Sequence, residues 1–176
     1  MHPIRHFRTI TRHRHQVIAH CFKAGIGWQG LFHDLSKYTP AEFWVGAKYY
    51  QGTRSPNEEE RSRFGYSSAW LHHKGRNRHH LEYWIDYKRQ PDGTVRLDGM
   101  PMPKKYVVEM FCDRIAASRV YKGKDFDRAA PYQYYMRGKA ANLLHPDSAA
   151  LLETLLTILK DEGEEAVFRY IREQVL

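Results

Sequence analysis

A chain of 176 residues with 42% hydrophobic and 14% aromatic residues suits one globular domain around a single core and lies outside the composition of disordered chains. No apolar run approaches the ~20 residues that span a bilayer, and the His- and Arg-rich start lacks the apolar stretch of a secretory signal, so no membrane partner and a cytoplasmic location are expected. The net charge of +8, from 28 Lys and Arg against 20 Asp and Glu, draws anions to the surface and favours phosphorylated small molecules or nucleic acid as partners. It equally serves solubility alone.

The punctuation along the chain is helical and predicts an all-α fold. Pro3 opens a first helix over 3–24, closed at Gly25. A second spans 28–36. Thr39-Pro40-Ala41-Glu42 has the form of a capping box with Pro at the first helical position and starts a third over 40–50. Ser55-Pro56-Asn57-Glu58 repeats it for a fourth over 56–73, which delivers His72 and His73 near its end and breaks at Gly75. A fifth is expected over 79–89, followed by turn signals at Pro91-Asp92-Gly93-Thr94 and Leu97-Asp98-Gly99 that enclose a small irregular excursion and call for no sheet. Pro103 opens a long helix over 103–121 in which Tyr106, Met110, Asp113 and Ala117 share a stripe. Later helices are placed at 132–139, 147–159 and from Gly163 to Val175. Cys21 and Cys112 lie in apolar helical surroundings and are expected as buried free thiols.

The chemistry concentrates at His33-Asp34, an imidazole and a carboxylate side by side at the end of an apolar stretch. Neighbours on a regular helix diverge by about 100°, so one divalent metal takes both only near a helix terminus, with further donors from other segments. His13, His15 and His20 stand upstream. Asp113 lies downstream inside an apolar stripe, where a carboxylate needs a partner. Between them His72, His73, His79 and His80 put four imidazoles into nine positions.

The order His13, His33-Asp34, Asp113, with Lys37 completing His-Asp-x-x-Lys, resembles the HD-domain superfamily of metal-dependent phosphohydrolases. It is most similar to a family of small HD-like proteins, through His-Arg-x-x-Val at 13–17, His-Asp-Leu-Ser-Lys at 33–37, Asn-Arg-His-His at 77–80 and Glu-Met-Phe-Cys-Asp at 109–113. The resemblance covers residues 3–122. It implies a single helical HD-like domain over 1–176, with its core in 3–122 and a helical extension over 123–176. It also implies a metal held by His13, chosen for Val17 four residues on, with His33, Asp34 and Asp113. In some HD branches mid-chain histidines bind a second ion, with the aspartate of the His-Asp pair bridging, and His73 and His80 are the favoured candidates here.

One member of each His pair is expected to point away. One or two divalent ions follow, with Mn, Fe, Zn, Mg, Co and Ni not distinguished by the sequence. Lys37, three residues after Asp34, shares its face on a continuing turn and is placed to contact a phosphate oxygen or the leaving group, or else is a surface lysine near a cap. Glu109, one turn before Asp113, is an acceptor for a ligand imidazole, an acid–base residue beside Asp34, or a partner in a helix ion pair. Arg76 and Arg78 are candidate anion contacts for the substrate.

The leading expectation is a phosphohydrolase acting on a phosphate ester or nucleotide through metal-activated water. Two alternatives stand beside it. One is a di-iron oxygenase, which the resemblance also allows. The other is a nucleic-acid or partner-binding module with a structural metal, in which Arg5, Arg8, Arg12 and the stretch Lys74 to Arg78 contact phosphates while Trp70, Tyr83 and Trp84 stack bases.

Overall fold

The computed structural model describes residues 1–139 and 143–176. Its elements in chain order are α1 (Pro3–Lys23), α2 (Gly27–Gly30), α3 (Pro40–Tyr49), α4 (Pro56–Phe64), α5 (Ser68–Lys74), β1 (Ile85–Arg89), β2 (Val95–Gly99), α6 (Lys104–Lys122), α7 (Ala130–Gly138), α8 (Pro146–Asp161) and α9 (Glu164–Tyr170). The fold is mainly helical, as the capping and spacing predict. No helix among the described residues is long and apolar enough to cross a membrane.

The core forms where α6 packs on α1 and α8. Val17 and Cys21 of α1, Val107, Phe111 and Ile115 of α6, Leu152, Leu155, Leu156 and Leu159 of α8, and Val167 of α9 are fully buried in one cluster. Residues 123–176, expected as an extension, therefore supply a large part of the core. Their leucines recur at the three-and-four spacing that puts one face of α8 against α6.

Three boundaries differ from the sequence expectation. The segment 28–36 is helical only as far as Gly30 and turns before a 3₁₀ segment at Leu35–Tyr38. The segment 56–73 is two helices: Gly65 at φ 79 ends α4, and Ser67 Oγ accepts from Trp70 N at 3.1 Å to start α5. Glu60 fixes that junction by accepting from Ser67 Oγ at 2.6 Å and Ser68 Oγ at 2.7 Å.

The third difference is a change of type. Residues 79–89 do not form one α-helix: Leu81–Trp84 is a single 3₁₀ turn, and Ile85–Arg89 pairs antiparallel with Val95–Gly99 in a two-stranded hairpin whose register sets Tyr87 opposite Leu97. Its turn is fixed by Asp92, whose Oδ1 accepts from Thr94 N at 2.9 Å, and by Gly93 at φ 84. The hairpin root closes on the segment before α8, where a Cβ on Gly99 would lie 1.9 Å from the Leu143 carbonyl oxygen.

Two histidines sit inside this frame without joining the central cluster. His20 stacks on Phe168 with ring centroids 5.8 Å apart, and His6 lies against Phe43 and Tyr50. Burial first, and nearby cations second for His6, hold both at about 4 against an ordinary 6.5; for His20 Glu164 opposes the shift without reversing it. The unfolded chain therefore binds more protons than the folded one between pH 6.5 and about 4, and stability rises with pH across that window. We expect full stability from these groups above pH 6.5 and a loss on the order of 2 kcal/mol each by pH 4.5. Urea midpoints at pH 7 and 4.5 measure it, and His20→Gln should show a smaller drop between the two than the parent. An equal drop would place the acid sensitivity elsewhere.

Candidate metal centre

The placement of His33-Asp34 begins with Gly30. A Cβ there would lie 2.5 Å from Cys21 Cβ, so only glycine lets α2 press this closely on α1. Arg14 then donates to the carbonyls of Leu31 and His33, the latter at 3.1 Å from Nε, which ties the following turn to α1. Asp34 has φ 54, the one non-glycine residue at positive φ among the described residues. That conformation, which aspartate tolerates at a cost of about 1–3 kcal/mol, sends the Asp34 side chain to the same side as its neighbour's. His33 Nε2 and Asp34 Oδ2 are 3.2 Å apart.

Around this pair α1 and α6 add two donors. His13 Nε2 lies 2.9 Å from Asp113 Oδ1 and 3.7 Å from Asp34 Oδ2, and His33 Nε2 lies 3.6 Å from Asp113 Oδ1. Donors shared by one ion at about 2.1 Å stand roughly 3.0–3.5 Å apart as neighbours, and the distances here, from 2.9 to 3.7 Å, straddle that range. His15 is exposed on the same helix and His20 is seven residues along, so α1 brings His13 alone of its three candidates.

The other oxygen of Asp34 faces a second group. His73 Nε2 lies 3.2 Å and His79 Nε2 3.4 Å from Asp34 Oδ1, and His80 Nε2 is 2.9 Å from His73 Nε2. The two donor sets are thus His13, His33, Asp34 and Asp113 on one side and Asp34, His73, His79 and His80 on the other, each within 4.8 Å throughout.

His79 was not among the expected ligands. The rule that adjacent side chains diverge holds for His72 and His73, which are on α5: His72 turns to Glu42 while His73 turns inward. It fails for His79 and His80, whose segment is not helical, and both rings face the cluster with centroids 4.1 Å apart.

The buried polar atoms show what the cluster could hold. His13 Nε2, His33 Nε2, His79 Nε2 and both oxygens of Asp34 are buried and have no hydrogen-bond partner among the described residues, although each has an ion-pair neighbour within 4 Å. Close approach without hydrogen-bond alignment means that the lone pairs aim at the space between the atoms rather than at one another. A divalent ion with nitrogen and oxygen ligands fits those spaces.

The outer nitrogens are held by carboxylates. Glu109 Oε1 accepts from His33 Nδ1 at 2.9 Å and lies 3.2 Å from His79 Nδ1, so it orients one ring of each set, while Gln29 Nε2 donates to its other oxygen at 2.5 Å. Of the three expectations for Glu109, the geometry shows the acceptor behind the imidazoles and no helix ion pair with Lys or Arg among the described residues. Glu42 does the same for His72 and His73, at 2.7 and 2.8 Å. Its expected place in a capping box at Thr39 is not realised, because the Thr39 hydroxyl donates back to Ser36 O and Glu42 is buried against α5.

Electrostatics divide the imidazoles: burial opposes protonation of His33 and His73, but Asp34 outweighs it and raises both above the ordinary value, while His13 and His80 lie below it. Burial opposes ionisation of Asp34, and His33, Lys37 and His73 outweigh it, so the carboxyl lies well below its ordinary range. Burial likewise opposes Asp113, which His13 and His33 hold well below its range, and Glu109, which the same kind of contacts from His33 and His79 bring down to about 2. Burial keeps His13 and His80 below the ordinary imidazole value and hence neutral, the form that ligates. Lys37 Nζ sits 2.5 Å from Asp34 Oδ2; burial lowers its pKa, but Asp34 and Asp113 outweigh this and hold the ammonium charged.

Residues 2–158 match the model of a family of unknown function, DUF5662. The chain belongs to the DUF5662 family. No curated protein and no solved structure matches it.

In this DUF5662 chain the cluster opens into a cavity of about 490 Å³ bounded by α1, α6, α7 and the segment before α4. Lys37, His13, His80 and Asp113 line it. Arg76 and Arg78 do not: Arg76 Nη1 donates to the His72 carbonyl, and Arg78 donates to Tyr106 Oη and lies over the rings of Tyr83 and Tyr106. The basic residues brought to the cavity are the expected Lys37 together with Arg54, Arg114, Lys122 and Arg137. The last four come from α6, α7 and the segment before α4 and left no local signal.

The glycine that seats α2 gives a test of how the site is held. Gly30→Ala places a methyl against Cys21 Cβ, which cannot swing away because it is fixed to the α1 backbone, so α2 must shift. We expect a loss of about 1–3 kcal/mol, read as a fall in Tm of roughly 3–10 °C. Gly75→Ala, at φ −76 with only Leu71 O within 4 Å, should leave Tm within a degree or two and controls for the substitution itself.

Proposed function

We propose that the chain is a metal-dependent phosphohydrolase of the HD type, acting on a phosphate ester. The observation that carries this reading is Asp34, a fully buried carboxylate with one oxygen in each of two donor sets and neither oxygen in a hydrogen bond. His13, His33, Asp34 and Asp113 would hold one ion, and Asp34, His73, His79 and His80 a second. Divalent ions so held supply a Lewis acid for a phosphoryl oxygen and lower the pKa of a bound water toward neutrality.

The chain's own groups complete the site. Lys37 faces the cavity with its ammonium beside Asp34 and offers N–H to a phosphoryl oxygen, where a fixed positive charge stabilises the charge that develops. Glu109 and Glu42 act through the rings they hold, fixing which nitrogen of His33, His73 and His79 points inward. Burial of the cluster keeps bulk water from the donors and strengthens each contact.

Five imidazoles against two carboxylates make a nitrogen-rich set, which favours Fe, Mn, Co, Ni or Zn over Mg. The same observation favours the second reading, a di-iron oxygenase, and metal identity separates the two. A nucleic-acid module is less well supported, because Arg78 is engaged by Tyr106 and Trp70 packs on His73 and His80. A cytoplasmic location belongs to the same proposal.

Elemental analysis of protein purified without added metal should find two ions per chain. Asp34→Ala should lose both, and His79→Ala one. Retention of two ions by Asp34→Ala would remove the bridging role.

Lys37→Ala should keep the metal and lower turnover of an aryl phosphate by roughly ten- to a thousandfold, the scale of a lost transition-state charge. Parent-like turnover would make Lys37 a structural partner of Asp34 only.

A further inference from the structure

The cavity beside the cluster holds about 490 Å³, equal to roughly sixteen waters at about 30 Å³ each. A phosphoryl group alone leaves most of it unfilled. One wall is a stripe of α6 on which Asp113, Arg114, Ala117, Ser118 and Tyr121 face the same space. That stripe runs about 12 Å at ~1.5 Å per residue, so it can guide a molecule several bonds longer than phosphate.

The cations on this cavity differ in their commitments. Lys37 is paired with Asp34, and Arg54 with Glu59 and Gln51. Arg114 has no such partner. Its Nε is buried without a hydrogen bond, and among the described residues no carboxylate comes within 4.0 Å of its guanidinium. Its recorded neighbour is the Tyr135 ring, 5.5 Å from Cζ to the centroid. Asp113, next in sequence, turns to His13 and His33, and Glu82 lines the cavity without reaching the guanidinium. Arg114 is partly exposed on the cavity wall, with only its Nε buried, so an anion in the cavity can reach a guanidinium that no carboxylate neutralises, and its planar fork suits a carboxylate or phosphate gripped at two points.

We propose that Arg114 receives a second anionic group of the substrate, so that the site takes a small phosphate ester that also carries a carboxylate or a further phosphate. The identity of the first group rests on the phosphohydrolase reading; the seating of an anion on Arg114 does not. Lys37 and the donor cluster hold the phosphoryl end, and Arg114 discriminates by what the substrate carries beyond it.

The test compares three probes by calorimetry on metal-loaded protein: propylphosphonate, 3-phosphonopropionate, which adds a carboxylate, and 1,3-propanediphosphonate, which adds a phosphonate. We expect one or both doubly charged probes to bind roughly ten- to a hundredfold more tightly than propylphosphonate, the scale of one charge-assisted contact. Which one gains identifies the second group. Arg114→Met should erase the difference at unchanged metal content, and Arg114→Lys should restore part of it. If Arg114→Met does not fold, Arg114→Lys carries the test, because losing the two-point grip must still reduce the ratio. Equal binding of the three probes by the parent, or a ratio unaltered in the variants, overturns the proposal. Parent turnover of phenyl phosphate judges the hydrolase reading separately. No turnover with the preference intact keeps the anion seat and removes hydrolysis, and turnover without a preference does the reverse.

Discussion

A carboxylate buried as deeply as Asp34 costs on the order of several kcal/mol to desolvate, and stays ionised only if opposite charge or a ligand repays it. Here the compensating charge comes from His33 beside it, Lys37 three residues on and His73 from α5, while His13 from α1 and His79 from the loop after α5 also bring a ring nitrogen within 4 Å. None of these contacts satisfies its oxygens by hydrogen bonding. The protein thus maintains an electrostatically stabilised but geometrically unsatisfied centre, and the rest of the architecture explains how that centre persists. Arg14 anchors the turn, Gly30 allows α2 to approach, and the left-handed backbone at Asp34 aims two consecutive side chains at one place.

Holding such a centre requires the rings to keep one orientation. An imidazole whose outer nitrogen is unbound can rotate or exchange tautomers, and then its inner nitrogen no longer presents a lone pair. Glu109 and Glu42 prevent this, and their positions make the two donor sets mechanically linked. Glu109 touches a ring of each set, and Gln29 on α2 holds Glu109 in turn. The helix that presses on α1 to seat His33 is therefore the same one that fixes the carboxylate behind it.

Much of this was legible in the sequence, and the failures have a common cause. His33-Asp34 and Asp113 stood out because an imidazole–carboxylate pair at the end of an apolar stretch and a carboxylate in an apolar stripe each need a partner, whereas His13 was separated from His15 and His20 only by the family resemblance, through Val17 four residues on. His79, the hairpin and the Glu42 contact were missed where helical geometry was carried past the point at which the helix stops. Residues 75–80 leave α5 behind, so the 100° divergence that separates His72 from His73 does not separate His79 from His80. Ile85 to Arg89 alternate as a strand does, but Tyr87 and Leu97 are exposed on the hairpin, so no buried face announced the period of two. Thr39 and Glu42 have capping-box spacing, yet burial gave Glu42 a stronger use. Arg114 gave no signal in the sequence, since nothing local says that its side chain meets a cavity assembled from segments far apart in the chain.

The two faces of α6 connect stability to chemistry. Val107, Phe111 and Ile115 lock one face into the leucines of α8, while Glu109 orients the rings, Asp113 presents a donor, and Arg114, Ser118 and Tyr121 wall the cavity. This double use leaves the helix apolar or buried around most of its circumference, which explains why it shows so little amphipathic contrast for a helix bearing a polar site. It also sets a division of labour. The core side is close-packed and fixes the register of α6 to fractions of a turn, and that register alone decides that Asp113 meets His13 and His33 while Arg114, one residue on, is turned away from them into the cavity. A helix free to rotate by one residue would exchange those two roles and bring a cation to the donors. The apolar packing supplied by residues 146–171 is thus what keeps the charge pattern of the site in order.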